Sequence, residues 1–217
     1  MPVELFNLED ISHDLYLRFP KIAKDELGVS IDTGQIVRPE DFIKIHEDSK
    51  YSTSLSLALQ FREDEKENAL QKLADQDLLI LSGSAGVGKT RLALEVAKEF
   101  KSANSDFNIW CIFKRTADLW DDIHHYFSAP GKYLIIVDDA NRINSFSYVV
   151  DFLKHASQNH DIKIIATVRD YALPKVKNDA YQEVGFDELN IKPLTDDQIK
   201  EIVKEQFKIS DHLFLDR

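Results

Sequence analysis

The sequence predicts an α/β fold in which a parallel sheet is covered by helices on both faces. Two observations carry this prediction. Short apolar runs such as Leu78–Leu81 alternate with amphipathic segments from about residue 63 onwards, a pattern typical of buried parallel strands joined by helices. Three of the seven glycines of the chain, Gly83, Gly86 and Gly88, fall within six positions directly after the first of these runs. That clustering indicates a backbone segment with a special conformation.

The predicted elements follow one another as strand and helix. Helices are expected over 63–74, 89–101, 116–127 and 146–157, with a last helix beginning at a capping box formed by Thr195 and Gln198. Strands are expected over 78–81, 109–113, 133–137, 162–167 and 184–191. Residues 1–60 show weaker periodicity, and they are interpreted as a mainly helical appendage to a core over 61–217. Its clearest feature is a short helix that begins at Pro39.

Composition narrows the classes of protein. The chain has 217 residues and a net charge of −11, which disfavours contact with nucleic acid through phosphates. No apolar run is long enough to span a bilayer, and residues 1–10 lack the features of a secretory signal. Cys111 is the single cysteine, and it lies in an apolar strand. We interpret it as a packing residue and expect a reducing, cytoplasmic setting and no membrane partner.

The glycine-rich segment matches the phosphate-loop pattern G-x-x-x-x-G-K-[ST] at every fixed position. In such a loop, backbone N–H groups and a helix N-terminus surround an anion. Lys89 can contact the β- and γ-phosphates, and Thr90 can offer its hydroxyl to Mg²⁺. The alternative is a chance match on a glycine-rich turn. The predicted nucleotide-binding residues here are Gly83, Ser84, Ala85, Gly86, Val87, Gly88, Lys89, Thr90 and Arg91.

Two adjacent acids, Asp138 and Asp139, end the third apolar strand. Ligands of open α/β sheets bind at the carboxyl ends of the strands. Asp138 is therefore predicted to hold Mg²⁺, and Asp139 to orient or deprotonate an attacking water. The alternative is a turn in which Asp139 and Asn141 only satisfy loop amides.

A cation, Arg169, follows the fourth strand. At this edge of the sheet it would lie near the γ-phosphate, where charge changes during hydrolysis. The alternative is a surface arginine paired with Asp170.

The segments GSAGVGKT, LIIVDDAN and IIATVRD, in this order, resemble the STAND signalling ATPases and especially their NB-ARC/NACHT-like branch. LNIKPLTDDQIKEIV is similar to the fifth strand of that family and the helix that follows it. One predicted strand lies in sequence between the strand before the phosphate loop and the strand that precedes Asp138. In this respect the chain resembles the P-loop ATPases with an additional strand. This resemblance implies a sheet of about five strands in the order 5-1-4-3-2. It also implies that Lys89, Thr90, Asp138, Asp139 and Arg169 form an ATP–Mg²⁺ site.

The family often carries a Gly-Arg element near the adenine. Arg62 lies in the corresponding region, but Gln60 stands where the glycine would be. An adenine-side role for Arg62 is one interpretation, and a plain helix N-terminus with acids in its first turn is the other. The family also continues into a helical lid with a Gly-x-Pro turn, which does not follow here, so a fragment of a longer protein is expected.

The resemblance implies a slowly hydrolysing ATP switch that couples nucleotide state to self-association or to an attached effector, in defence or signalling. A remodelling ATPase of the AAA+ type acting on DNA or protein is the second hypothesis. Asp139, where that class usually has glutamate, argues against it. A P-loop kinase is the third. ATP is favoured over GTP by the resemblance, since no Asn-Lys-x-Asp guanine motif is present.

Overall fold

The structure is a computed structural model, and it describes residues 33–48, 55, 58–113, 119–127, 129–142, 146–155, 160–181 and 184–207. The strands are β1 (Ile36–Val37), β2 (Leu78–Gly83), β3 (Asn108–Ile112), β4 (Lys132–Val137), β5 (Asp161–Arg169) and β6 (Phe186–Asn190). The helices are α1 (Pro39–Glu47), α2 (Glu63–Asp75), α3 (Lys89–Ala103), α4 (Leu119–Tyr126), α5 (Phe146–His155), α6 (Leu173–Tyr181) and α7 (Asp196–Phe207). Short 3₁₀ turns at Ala140–Arg142 and Asp170–Ala172 follow β4 and β5.

The strands form one sheet in the order β1-β3-β4-β5-β2-β6. All neighbouring strands are parallel except β1, which pairs antiparallel with β3. Counted from the strand before the phosphate loop, β2 to β6 have the predicted order 5-1-4-3-2. The mainly parallel sheet and the helices that alternate with its strands confirm the α/β fold class. Because the strands from β2 to β6 are parallel, their carboxyl ends all lie at one edge of the sheet.

The sheet has six strands rather than about five, because β1 is contributed by the segment before residue 61. This strand pairs only Ile36 with Ile112 and Val37 with Cys111. Two residues are too few to produce a period in the sequence, so the strand could not be predicted. Nearby, Thr33 Oγ1 and Gln35 Nε2 both donate hydrogen bonds to the buried carboxylate of Asp122 on α4.

Apolar side chains cover both faces of the sheet. Consecutive strand residues point to opposite faces, so Leu79 and Ile80 belong to different clusters. Ile80 and its neighbours pack with side chains of α4, α5 and α6, while Leu79 and its neighbours pack with side chains of α1, α2 and α3. The parallel strands are therefore packed between two layers, and the loops of the site begin at the carboxyl ends of these strands.

Several predicted elements can be compared directly with the structure. The helix beginning at Pro39 is present, and the capping box at the start of α7 is confirmed, since the Thr195 N–H donates to Gln198 Oε1 and the Gln198 N–H donates to Thr195 Oγ1. Helix α6 is an addition, because the sequence predicts no element between 167 and 184. Its Pro174 is a residue that usually marks a break, although a proline in the first turn of a helix is tolerated.

Some expectations fall on residues that the structure does not describe. The predicted start of the fourth helix at Thr116 and most of the predicted appendage over 1–60 lie outside the described residues. Within the described ranges, no helix is both long and apolar enough to cross a bilayer. Cys111 is fully buried, and desolvation raises the pKa of its thiol, as expected for a packing residue.

Candidate functional site

The predicted phosphate loop connects the carboxyl end of β2 to the first turn of α3. Gly86 and Gly88 have φ angles of +79° and +92°, a region that side-chain-bearing residues adopt at a cost. Gly88 occupies the N-cap position of α3. The backbone therefore turns directly into the N-terminus of a helix, where N–H groups without partners in the helix are available to an anion.

Gly83 is restricted by a close approach as well as by its backbone angle. A Cβ atom at this position would lie 2.5 Å from the carbonyl oxygen of Ile191, and the residue has a φ of +152°. Gly83→Ala is therefore expected to destabilise the fold by about 1–3 kcal/mol, because the chain after β6 must move. Urea unfolding would measure this change.

Gly185→Ala is the matched control, because its new methyl group would meet only the end of the Gln76 side chain, at 2.9 Å. Equal unfolding midpoints for the two variants would contradict a special constraint at Gly83.

Lys89, the first residue of α3, is directed back toward the loop. Its Nζ donates hydrogen bonds to the carbonyl oxygens of Gly83, at 2.8 Å, and Ser84, at 2.7 Å. The side chain is buried, and burial lowers the pKa of Lys89, while attraction to Asp139 and Asp170 opposes that change. A buried ammonium surrounded by carboxylates and carbonyls is a suitable point charge for phosphate oxygens.

Asp138 lies at the end of β4 and accepts two hydroxyl hydrogen bonds. Thr90 Oγ1 donates to Asp138 Oδ1 at 2.6 Å, and Thr167 Oγ1 donates to the same oxygen at 3.0 Å. Thr167 also accepts the Asp139 N–H at 2.8 Å, so it joins β5 to the end of β4. The structure thus brings the two predicted Mg²⁺ ligands into direct contact.

Asp139 is held by two arginines in an unusual backbone conformation. Its φ is +50°. Arg169 donates through Nε and a terminal nitrogen to the two carboxylate oxygens, at 3.4 and 3.1 Å, and the hydrogen bond with Asp139 raises the pKa of Arg169. Arg142 lies 3.2 Å from the same carboxylate. Arg169 is therefore paired with Asp139 rather than with Asp170, the partner that the surface-pair interpretation named.

Asn141 shows the loop-amide contact that the alternative interpretation of this turn described. Its Oδ1 accepts the Arg169 N–H at 3.2 Å. The Asp139 carboxylate, in contrast, contacts guanidinium groups, so the turn contains both kinds of interaction.

A cavity of about 830 Å³ extends from the phosphate loop, within the roughly 300–1,000 Å³ usual for small-molecule sites. Lys89, Thr90, Asp138 and Asp139 line one end together with Arg169. Aliphatic side chains from the segment before α2 and from the region of α7 also line the cavity, together with His46 and Gln60. These aliphatic side chains include Leu55, Ala58, Leu59, Leu194, Ile199 and Ile202.

Arg62 and Arg91 also line this cavity. Arg62 is buried, at 5% exposure, and its guanidinium donates to the carbonyl oxygens of Val87, at 3.1 Å, and Lys192, at 2.6 Å. Arg62 also occupies the N-cap position of α2, whose first turn carries three acids. Arg62 therefore connects the phosphate loop to the chain after β6, and its adenine-side role stays a prediction. Burial lowers the pKa of Arg91.

Sequence reasoning missed several polar residues of the site. Thr167 and Asn190 lie at or near the carboxyl ends of β5 and β6, and Asp170 follows β5. The sequence could have indicated them by their position, because polar residues at the ends of predicted parallel strands, or just after them, meet at one edge of the sheet.

The donor set fits a hard divalent cation. A threonine hydroxyl and a carboxylate within hydrogen-bond distance of each other are the oxygen ligands that Mg²⁺ shares with waters and phosphate oxygens. Among the described residues, no group of three or more His, Cys, Asp or Glu side chains could hold a metal ion without other ligands.

A phosphate loop between β2 and α3, with the acid-bearing strand β4 separated from β2 by β5 in a 5-1-4-3-2 sheet, defines a P-loop nucleoside triphosphatase fold. The profile of the family described as novel STAND NTPase 3 matches residues 61–209. The chain belongs to this family. The matched region contains the five strands from β2 to β6 and the six helices from α2 to α7.

Solved structures show the same fold at low sequence identity. Hsp104, in a closed state with ATPγS and casein, is 12% identical with a TM-score of 0.56, over 79% of this chain and 32% of that one. The Aeropyrum pernix ORC1 protein, solved in complex with DNA, is 14% identical with a TM-score of 0.53, over 71% and 51%. This chain thus spans about half of ORC1 and a third of Hsp104. Comparison with curated proteins gave no match.

Proposed function

We propose that this protein is a nucleotide-controlled switch that binds ATP with Mg²⁺, hydrolyses it slowly and has different conformations before and after hydrolysis. The observation that carries the proposal is the bidentate contact between Arg169 and Asp139. The cation suited to the γ-phosphate is paired with the acid suited to the attacking water. A γ-phosphate in the site competes with Asp139 for Arg169, so the pairing depends on which nucleotide is bound.

The phosphate end of the cavity supports triphosphate binding. In this proposal the loop from Gly83 to Gly88 surrounds the phosphates with N–H groups, and Lys89 exchanges its carbonyl contacts for phosphate oxygens. Thr90 and Asp138 would hold Mg²⁺, which neutralises charge on the phosphate oxygens when bound.

The aliphatic part of the cavity lining suits the base. Aliphatic side chains such as Leu59 and Ile202 offer surface to an aromatic ring. The choice of ATP over GTP rests on the family resemblance. Arg62 contributes by fixing the position of Val87 in the loop through its contact with the Val87 carbonyl.

The catalytic part of the proposal concerns Asp139. Once Arg169 contacts the γ-phosphate, the Asp139 carboxylate is able to accept a hydrogen bond from water and orient it for attack. Arg142, at 3.2 Å, continues to hold the carboxylate. Hydrolysis is expected to be slow because the acid is shared with cations. Coupling to self-association or to an effector in defence or signalling is proposed from the STAND family.

Calorimetry with ATP, ADP and GTP, followed by a phosphate-release assay, tests this proposal. We expect ATP to bind in the presence of Mg²⁺, EDTA to weaken binding, and turnover to fall well below about 1 s⁻¹, the lower end of typical enzymes. Absence of nucleotide binding would contradict the proposal. Strong stimulation by DNA or unfolded protein would favour a remodelling ATPase instead, and phosphate transfer to a small acceptor would favour a kinase.

A further inference from the structure

The short turn after β5 connects three parts of the site. At its start, the Arg169 N–H donates to Asn141 Oδ1 at 3.2 Å. Asn141 Nδ2 in turn donates to the Tyr171 hydroxyl oxygen at 3.4 Å. These contacts attach the turn to the segment that carries Asp139. The backbone that supports Arg169 is therefore held on the side of the acid.

Asp170 attaches the same turn to the phosphate loop and to β6. Its Oδ2 accepts a hydrogen bond from Ser84 Oγ at 3.0 Å, and its Oδ1 accepts one from Asn190 Nδ2 at 3.4 Å. Asn190 also donates to Ser82 Oγ at 3.0 Å, which lies on β2 just before the loop. One carboxylate therefore joins the carboxyl ends of β5, β2 and β6.

Ser84 is held from both its main chain and its side chain. Its carbonyl oxygen accepts from Lys89 Nζ at 2.7 Å, and its hydroxyl donates to Asp170. Lys89 will leave the carbonyl when it contacts phosphate in the proposed function. The bond to Asp170 does not use the ammonium, so it can persist when nucleotide is bound.

We propose that Asp170 is a positioning residue: through its bonds to Ser84 and Asn190 it holds the phosphate loop and the turn carrying Arg169 in one arrangement. This inference rests on the proposed function. Its consequence is that the β-phosphate, at the loop, and the γ-phosphate, at Arg169, are bound by elements in a fixed relation to each other. Precise placement of a charged donor determines how much it contributes to binding.

The negative charge of Asp170 suggests the competing explanation. A carboxylate this close to Lys89 attracts the ammonium and repels a triphosphate. If charge were the main effect, removing it would strengthen nucleotide binding whether or not the hydrogen bonds were kept. Asp170→Asn and Asp170→Ala separate the two effects, because only asparagine can still bond both partners without the charge: its Oδ1 can accept from Asn190 Nδ2 while its Nδ2 donates to the Ser84 hydroxyl.

The test is the affinity of the full chain for ATP and for ADP, with Mg²⁺, by calorimetry. Asp170→Ala is expected to weaken ATP binding about five- to tenfold and ADP binding about two- to threefold, less than the loss of a direct hydrogen bond to a charged group would cause, because Asp170 acts on the nucleotide only through the position of the loop and the turn. ATP loses more because only ATP has the γ-phosphate that Arg169 contacts. Ser84→Ala is expected to weaken both about equally, since Asn190 and Asn141 still hold the turn.

The remaining variants serve as controls. Asp170→Asn is expected to recover most of the wild-type affinity, and Ser84→Ala combined with Asp170→Ala to resemble Asp170→Ala alone. A wild-type ratio of ATP to ADP affinity in Asp170→Ala, or tighter binding in both Asp170 variants, would overturn the inference. A wild-type protein that binds neither nucleotide would instead overturn the proposed function itself. An unchanged ratio in Arg169→Ala would contradict the contact between Arg169 and the γ-phosphate.

Discussion

Lys89→Ala is expected to lower the affinity for ATP by a factor of about one hundred or more. Each hydrogen bond between an ammonium and a phosphate oxygen contributes about 1.5–3 kcal/mol, and two such contacts are lost. Lys89 is buried, at 7% exposure, so water cannot readily replace its ammonium group. Calorimetric titration with ATP and Mg²⁺ measures the loss.

The best control lies on the same helix. Lys98 is on the solvent side of α3, with a side chain that is 79% exposed, and Lys98→Ala should leave ATP affinity within about twofold of wild type. Thermal unfolding without nucleotide will show whether the Lys89 variant is folded. An undiminished ATP affinity in a folded Lys89→Ala protein would refute the phosphate-binding role of the loop.

Asp139→Asn is expected to keep ATP binding and to slow hydrolysis by about 10²- to 10⁴-fold, the usual contribution of a positioned base. Asparagine is the suitable substitute because Asp139 has a φ of +50°, and asparagine tolerates this left-handed region better than alanine does. Its amide oxygen can still accept a hydrogen bond from Arg169. Single-turnover hydrolysis with saturating ATP isolates the chemical step from binding.

Asp139→Ala and Asp197→Asn complete the comparison. Alanine should give the same slow hydrolysis, with an added loss of stability of about 1 kcal/mol from its backbone conformation. Asp197, whose side chain is 95% exposed at the start of α7, should tolerate asparagine with full activity. Wild-type hydrolysis in Asp139→Asn would remove this residue from the catalytic role and leave it as a partner of Arg142 and Arg169.

The alternation of apolar strands and amphipathic helices was sufficient to predict the parallel sheet. Strands β2 and β4 are mainly apolar runs, and the bounds of β2, β4 and α3 differ from prediction by only a few residues. The two elements that were not predicted have little local signal. Strand β1 is two residues long, and α6 contains Pro174. Both depend on contacts with the rest of the molecule for their stability.

The partners of the site residues were less accessible to sequence reasoning. Asp139 was predicted as an active-site acid, but its pairing with Arg169 joins positions 30 residues apart. The bond between Ser84 and Asp170 joins positions 86 residues apart. No local pattern specifies such pairs, because they depend on which strands are neighbours and in which register.

The sequence by itself determined the phosphate loop, since its function depends on eight consecutive residues and on the backbone angles that glycine permits there. It also determined that acids and a cation would stand at strand ends. Only the tertiary structure decided which of these groups meet. Packing on both faces of the sheet places β5 between β4 and β2, and that position brings Arg169 to Asp139 and Asp170 to the phosphate loop.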